Sequence, residues 1–335
     1  LNVKDPPVWM SIVPSDESSS VVLFIAGGYP NRASTEVLYV GATRSTKGET
    51  GFKDLLPAVC SRSLQDFELV FDNKIVASKM EIEVQHRDTF KVDYVFGFAS
   101  GEFSYFLTVQ KETVDRSSNY ATRIVRVCQG DSKFYSYTEI PLQCTHNGTN
   151  YNILTAATVG HPAADLAQSL MLSDRPPMTD NEHVLFATFS RGEEGSSQHM
   201  ADSVMCVYSL REIRRKFTET ISECFNGIGN IGPAHFVLPS SCISTPYNIV
   251  DDYCGEYDFN KPIASAVPIS HTASVHLPQV SLTSVAVTST SHFTVALLGS
   301  QQGVLIKLVV ESGSRAVEYE RVTVEAGSRI SPDLK

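Results

Sequence analysis

VDYVFGFASGEFSYFLTVQ, which runs from Val92 to Gln110, is the stretch of this chain that indicates its fold most clearly. It contains two apolar, aromatic runs of the residue types that suit a pleated sheet, with a turn region between Gly97 and Gly101. Two further runs, Ala121–Cys128 and one ending at Cys144, follow after short polar segments. Four strand candidates within about fifty residues, joined by short turns, predict a four-stranded antiparallel unit such as a propeller blade.

Strand candidates recur along the rest of the chain, whereas helical spacing of apolar residues is confined to two segments. Those two segments are Ala163–Leu172 and Leu210–Thr220, the second following a capping candidate, Ser209. The further strand candidates are Val21–Ala26, Glu36–Ala42, Phe67–Phe71, Asn152–Thr158, Val184–Ser190, Ser203–Ser209, Leu282–Thr288, Thr294–Gly299, Val304–Val310 and Val317–Val324. Because helices do not alternate with strands, the pattern argues against a parallel α/β sheet. Periodicity alone leaves a sandwich, a pair of barrels and a propeller open.

Composition narrows the class of protein. The chain has 335 residues, of which 42% are hydrophobic, and a formal net charge of −10. An acidic chain with no basic excess argues against nucleic-acid binding. No run of eighteen or more apolar residues is present, and the first residues lack the pattern of a signal peptide. A chain that begins at Leu1 is expected to be a fragment or a processed product.

Two local patterns have plain structural interpretations. The basic residues near the second helical segment predict the exposed face of a short helix; they are Arg211, Arg214, Arg215 and Lys216. Residues Gly227–Gly232 match G-x-G-x-x-G, but they follow a helix candidate and are stopped by Pro233. A dinucleotide site needs this turn between a strand and a helix, so we expect a surface loop instead.

The cysteines indicate an oxidising compartment. Six of the seven lie between Cys128 and Cys254 and none forms a C-x-x-C pair, which excludes the common zinc spacings. Such a cluster in a strand-rich chain is typical of disulfides in a secreted domain, although spacing cannot choose among the 15 pairings that six cysteines allow. Asn147-Gly148-Thr149 is a glycosylation sequon, so Asn147 is predicted to carry a glycan.

No pattern of catalysis stands out. The chain has no G-x-S-x-G, H-E-x-x-H or P-loop motif, its nine histidines are scattered, and the repeated Asp-box of propeller sialidases is absent. We therefore predict a protein that is not an enzyme and that uses no cofactor and no metal.

The segments DYVFGFASGEFSYFLTVQ, RIVRVC and FYSYTEIPLQC together resemble the sema domain of plexins, the cell-surface receptors for semaphorins. Semaphorins share the propeller, so a semaphorin-type ligand is the alternative, with a propeller hydrolase a third possibility. The GEYD segment after Cys254 and TVALLGSQQG favour the B-type branch. The resemblance implies an all-β, seven-bladed propeller with short helical inserts. Residues 1–335 would then be a partial sema domain of about five blades, lacking the first blades and the closing strands.

The same resemblance implies a disulfide pattern and a ligand. The implied pairs are Cys128–Cys254, Cys144–Cys206 and Cys224–Cys242, which leave Cys60 as a buried free thiol. The expected partner is a semaphorin bound sema domain to sema domain, with a second copy or a co-receptor as further partners. The parent protein is expected to be anchored at the cell surface, with this domain on its extracellular side.

The loop Phe225–Phe236 is the candidate ligand surface, together with the segment Arg62–Phe67. The residues proposed to bind the partner are Arg62, Phe67, Phe225, Asn226, His235 and Phe236. Aromatic side chains at an interface supply much of the binding energy from few residues. The alternative is that Phe225 and Phe236 pack beneath the Cys224–Cys242 disulfide.

Overall fold

Four sets of four antiparallel strands follow one another along the chain. The computed structural model describes residues 12–14, 16–45, 56–72, 76–172 and 182–332. Within each set the four strands lie in chain order, and strands of a later insert extend the second set into a larger sheet. The first strands of neighbouring sheets contact each other, so the sheets are arranged as the blades of a propeller. The prediction of an all-β propeller is confirmed, and the described residues contain four blades.

Blade 1 begins the described part of the ring. Its strands are β1 (Val21–Gly27), β2 (Glu36–Ala42) and β3 (Val59–Ser63), followed by a small hairpin of β4 (Phe71–Asp72) and β5 (Val76–Ala77), and then β6 (Lys79–Met80) at the outer edge. The expected strand Phe67–Phe71 is wrong in all but its last residue. Phe67 has a left-handed φ of 58°, and its N–H donates to the Ser63 carbonyl, so the chain turns there. A 3-10 helix, Val84–His86, leads on to the next blade.

Blade 2 is formed by the stretch from Val92 to Cys144, as predicted. Its strands are β7 (Val92–Ser100), β8 (Phe103–Lys111), β9 (Tyr120–Cys128) and β10 (Thr138–His146), and β11 (Thr149–Tyr151) makes a hairpin with β10. The last strand begins later than FYSYTEIPLQC predicts. Phe134 has a φ of 53° and lies in a turn, while its side chain is buried.

Blades 3 and 4 complete the described residues. Blade 3 contains β12 (Ile153–Gly160), β13 (Val184–Gly192) and β14 (His199–Ser209), with helix α1 (Ala164–Ser169) between β12 and β13. Between β14 and the last strand of blade 3, an insert carries α2 (Leu210–Phe225), β15 (Asn230–Ile231), β16 (Ser240–Ser241), β17 (Ile263–Ala264) and β18 (Ile269–Thr272), and β19 (Val275–Pro278) then closes the blade. Blade 4 consists of β20 (Leu282–Ser289), β21 (Thr294–Ser300), β22 (Val304–Ser312) and β23 (Arg315–Thr323).

The cores lie between blades because successive side chains of a strand point to opposite faces of the sheet. On β8, Tyr105 and Leu107 pack towards blade 3, and Phe106 between them packs towards blade 1. On β13, Phe186 likewise packs against blade 4. Each such buried side chain contributes roughly 1.5–3 kcal/mol, which explains why strands of the central blades are apolar on both faces.

The insert returns to blade 2. Its strands β17 and β18 pair in parallel with β10, joining residues that are more than a hundred positions apart, for example Leu142 and Ile269. The insert therefore extends from blade 3 across the outer edge of blade 2.

Candidate partner-binding site

Helix α2 fixes the position of the insert. The Ser209 hydroxyl accepts a hydrogen bond from the Glu212 N–H at 3.5 Å, which confirms the predicted cap. One face of the helix is buried, including Ile213, Phe217 and Ile221, at the spacing expected of an amphipathic helix. The helix continues five residues beyond its predicted end at Thr220.

Three disulfides hold the insert and the central blades together. Cys144 on β10 is bonded to Cys206 on β14, which links blade 2 to blade 3. Cys128 at the end of β9 is bonded to Cys254 in the insert, and Cys224 on α2 is bonded to Cys242. These are the pairs that the family resemblance implies. Cys60 is buried without a disulfide partner.

Phe225 is a core residue and not an exposed anchor. Only 1% of its surface is exposed, and it packs in an apolar cluster with Cys224, Cys242 and Tyr253. The expectation that it contacts a partner is therefore wrong, because the disulfide and the insert cover it. Packing beneath the disulfide, the alternative considered for this residue, is what the structure has.

His235 and Phe236 are also buried, so neither can contribute an exposed side chain to an interface. The His235 ring stacks on Phe90 with a centroid separation of 4.2 Å, and the His235 carbonyl accepts a hydrogen bond from the Glu83 N–H. Phe236 packs edge-to-face against Tyr137, away from the Cys224–Cys242 disulfide. This segment attaches the insert to blades 1 and 2.

A buried polar network lies beneath His235. The Glu139 carboxylate accepts hydrogen bonds from Gln110 Nε2 at 3.2 Å and from the Tyr137 hydroxyl at 3.1 Å, and Arg123 Nε lies 3.3 Å from it. Burial raises the pKa of Glu139, and the Arg123 charge partly offsets this. Burial lowers the pKa of His235 well below its ordinary value, and Arg123 lowers it further.

Of the other predicted contact residues, two are accessible. Arg62 is buried, and its Nη1 donates to the Phe67 carbonyl at 2.7 Å, so Arg62 positions the turn and is not available to a partner. Phe67 itself is 46% exposed at that turn. Asn226, the C-cap of α2, is exposed as well.

The insert exposes two apolar side chains that were not predicted from the sequence. Ile228 is 62% exposed and Ile243 is 56% exposed. Both lie on the two chain segments that the Cys224–Cys242 bond joins, next to the short ladder in which Asn230 pairs with Ser241. The alternation of buried Cys242 with exposed Ile243 was a signal in the sequence, but only the tertiary structure shows that both isoleucines are exposed.

Asn260 fixes the backbone of Ile243 and of Cys224. Its buried side chain accepts a hydrogen bond from the Ile243 N–H at 2.8 Å and donates to the carbonyls of Ile243, at 2.7 Å, and Cys224, at 3.2 Å. A buried amide with three such bonds rigidifies a loop. The exposed pair therefore lies on a segment that is both cross-linked and hydrogen-bonded.

The G-x-G-x-x-G segment has no feature of a nucleotide site. It follows helix α2 instead of a strand, and Gly227 and Gly229 have φ values of 82° and 89°. Asn230 and Ile231 then form β15, and no helix begins there. The expectation of a surface loop closed by a disulfide is confirmed.

The basic residues of α2 border a cleft of about 340 Å³ beside the β7–β8 turn. Arg211 and Arg215 are exposed, as predicted, but Arg214 is half-buried and donates to the Ser100 hydroxyl at 3.0 Å. Asp251 and Asp252 also line the cleft and balance its charge.

Within the described ranges, no group of three or more His, Cys, Asp or Glu side chains is arranged to hold a metal ion. In the same part of the chain, no helix is long and apolar enough to cross a membrane.

Comparison with known proteins identifies the family. The sema domain family model matches residues 166–334. Plexin-A2 of Mus musculus is 34% identical over 310 residues, and plexin A3 of Danio rerio is 32% identical over 318. The matches cover 85% and 89% of this chain but 16% of each relative, so the chain spans about a sixth of their length. The chain belongs to the sema domain family.

Solved structures agree with this assignment. The extracellular region of plexin A4 superposes with a TM-score of 0.83 at 27% identity, over 96% of this chain and 32% of that one. Drosophila plexin A in complex with semaphorin 1b superposes with a TM-score of 0.52 at 13% identity, over 92% of this chain and 67% of that one, which shows the shared fold alone. Within the family the sequence is that of a plexin. The relatives are A-type, so the B-type assignment is corrected. Similarity to the extracellular region of a plexin, together with three disulfides, indicates an extracellular domain.

Proposed function

We propose that this chain is part of the ligand-binding domain of a plexin-like cell-surface receptor and that its ligand is a semaphorin. The observation that carries the proposal is the 34% identity to plexin-A2 over most of the chain. A solved plexin A bound to a semaphorin supports the choice of ligand. Recognition, and not catalysis, is then the role of the domain, and signalling to the cell interior belongs to other parts of an anchored receptor.

Part of the ligand surface, in our proposal, is the Ile228–Ile243 pair, with Asn226 beside it and Phe67 as an exposed aromatic on blade 1. Apolar side chains that are exposed on a rigid segment lose little conformational entropy on binding, which favours affinity. This surface replaces the buried residues Phe225, His235 and Phe236 in the original hypothesis.

Binding of a panel of soluble semaphorins to the chain, secreted from cells and captured on a biosensor, tests the ligand. Saturable binding to a semaphorin supports a receptor. If a well-folded protein binds a plexin and no semaphorin, the chain acts on the ligand side, which is the alternative. If it binds neither, the proposed function is wrong.

A matched set of variants tests the surface separately. Ile228→Asp and Ile243→Asp should each weaken semaphorin binding by about tenfold or more, the cost of losing a contributing interface residue. Phe293→Asp changes an exposed apolar residue of blade 4 and should leave the affinity unchanged. If the two isoleucine variants bind as tightly as the parent, the receptor role stands and the surface lies elsewhere.

We further propose that Asn147 carries an N-linked glycan. Asn147 and Gly148 form the two-residue tip of the β10–β11 hairpin, with φ values of 48° and 76°, and both residues are exposed. An exposed tip leaves the amide accessible to the glycosylation machinery. Treatment of the secreted chain with a peptide-N-glycosidase should reduce its mass, and Asn147→Gln should abolish that shift. An unchanged mass in the parent protein would contradict the proposal.

A further inference from the structure

Two histidines meet at the base of the β12–β13 connection. The strand ladder ends with Gly160 paired to Val184, so His161 and His183 occupy the next opposed position along the two strands. Their Nε2 atoms are 2.8 Å apart and their ring centroids 4.0 Å apart. Directly opposed residues have Cβ atoms about 5 Å apart, which is close enough for two imidazoles to bind the same ion.

The pair is held on a rigid frame. The His161 carbonyl accepts a hydrogen bond from the Ser289 hydroxyl at 2.7 Å, and the His183 carbonyl accepts one from the Leu210 N–H at 3.0 Å. The backbones of both histidines are therefore tied to neighbouring elements, β20 and α2. Because the two histidines are already held close together, little conformational entropy is lost when they bind an ion.

The geometry of the two nitrogens determines what the pair can bind. At 2.8 Å, one Nε2 must carry a hydrogen and the other must accept it. If the first ring moves its hydrogen from Nε2 to Nδ1, both Nε2 atoms present lone pairs to the same point and the charge of the pair is unchanged. Two bonds of about 2.1 Å at a tetrahedral angle require nitrogens about 3.4 Å apart, an opening that a small side-chain rotation provides.

We propose that His161 and His183 form a two-histidine site for a divalent transition-metal ion such as Zn²⁺, Ni²⁺ or Cu²⁺, with solvent completing the coordination. Imidazole nitrogen favours these ions over Ca²⁺ and Mg²⁺, which prefer oxygen ligands. Glu182 is adjacent in sequence but is buried and lies 3.7 Å from Arg211, so its carboxylate is engaged elsewhere. A bound ion would add a cross-link at the open end of the β12–β13 ladder.

A second histidine pair shows why proximity alone is insufficient. His146 and His276 stack with ring centroids 4.4 Å apart. However, His276 Nε2 is directed to Asp202 Oδ1 at 2.7 Å, and His146 Nε2 is directed to the Asn147 amide at 3.1 Å. Their nitrogens point to different partners, whereas those of His161 and His183 point to each other.

Metal titration of the chain, secreted without a polyhistidine tag, tests the site. Calorimetry should find one Zn²⁺ or Ni²⁺ per chain and no comparable binding of Ca²⁺ or Mg²⁺. Replacing either ligand, by His161→Gln or His183→Gln, should weaken binding by at least about tenfold, the lower end of what the loss of a supporting residue costs. His199→Gln, which changes an exposed histidine at the opposite end of the β13–β14 ladder from His183, should leave the affinity unchanged.

Spectroscopy and stability give readouts independent of affinity. The Cu²⁺ complex should show electron paramagnetic resonance couplings to two imidazole nitrogens, reduced to one in each single variant. Zn²⁺ should raise the melting temperature of the parent and not of the variants. Absence of Zn²⁺ and Ni²⁺ binding, binding by the two site variants as tight as that of the parent, or an equal loss in His199→Gln would overturn the proposal. Melting temperatures measured without metal establish that all the variants are folded.

Discussion

His235 Nε2 lies 4.0 Å from Glu139 Oε2, and both side chains are almost completely buried. His235 belongs to the insert and Glu139 to β10 of blade 2, so the contact joins two parts of the domain that are far apart in sequence. A titratable group buried at such a junction makes the attachment of the insert sensitive to pH.

We expect stability to fall in mild acid because of His235. Its pKa in the folded protein is well below the ordinary 6.5, so below that pH the unfolded chain binds a proton that the folded chain does not. His235 therefore does not change the free energy of unfolding with pH above about pH 6.5. Below that pH it lowers the free energy of unfolding by at most about 1.4 kcal/mol per pH unit. Urea unfolding between pH 7 and 5 measures this slope.

Comparison of variants isolates the contribution of His235 to the dependence of stability on pH. Glu139 has a raised pKa and acts in the opposite direction, stabilising the fold in acid and losing that effect as the pH rises above its ordinary 4.5. His235→Phe keeps the stacking on Phe90 and should flatten the loss of stability in acid relative to the parent. His199→Gln, at an exposed position, should not. Identical slopes in the parent and His235→Phe would contradict the assignment.

Two glycines with nearly the same φ, Gly303 and Gly327, should differ in their tolerance of alanine. Gly303, in the β21–β22 turn, has a φ of 80°, and a Cβ there would lie 1.7 Å from the Glu325 carbonyl oxygen. Gly327 has a φ of 82° and no atom within 4 Å of its Cβ position. Gly327→Ala should cost about 1–2 kcal/mol, for the left-handed conformation alone, and Gly303→Ala at least about 3 kcal/mol. Chemical denaturation of both variants measures the difference; equal losses would show that the turn can relax.

We expect the Cys60 thiol to be unreactive towards thiol reagents in the folded protein. Burial raises the pKa of its thiol to about 11, so little thiolate forms at neutral pH, and no reagent has access to the sulfur. A thiol assay under non-reducing conditions should detect none in the native chain and one after unfolding. Cys60→Ala should give none in either state. Rapid labelling of the native protein would show that this face of blade 1 opens readily.

The Cys224–Cys242 bond should stabilise the insert locally. It closes a segment of 18 residues, for which loss of chain entropy in the unfolded state predicts about 3 kcal/mol. Replacing both cysteines by alanine should increase hydrogen exchange of amides between 226 and 244 while the blades keep their protection. Cys60→Ala serves as the control. Faster exchange throughout blade 2 would show instead that the insert and the blade unfold together.

Much of the fold was predictable because strands and helices leave local patterns. The strand Glu36–Ala42 was predicted to the residue, and the cap Ser209 follows from a polar side chain directly before an amphipathic run. The propeller itself was not decided by periodicity, which left other all-β folds open. Family resemblance decided it, and the pairing of the cysteines came from the same source.

The sequence by itself determined the class of the fold, the oxidised extracellular character and the sequon, since each depends on residue types and short spacings. Tertiary structure alone decided which side chains a partner can reach. Phe225 and Phe236 are aromatic residues in a predicted loop, yet segments distant in sequence cover them, while Ile228 and Ile243 remain exposed. Likewise, His161 and His183 are 22 residues apart and meet only because β12 and β13 pair in one particular register. Which side chains are buried, and which of them meet, depends on how segments distant in sequence pack together. No single stretch of the sequence contains this information.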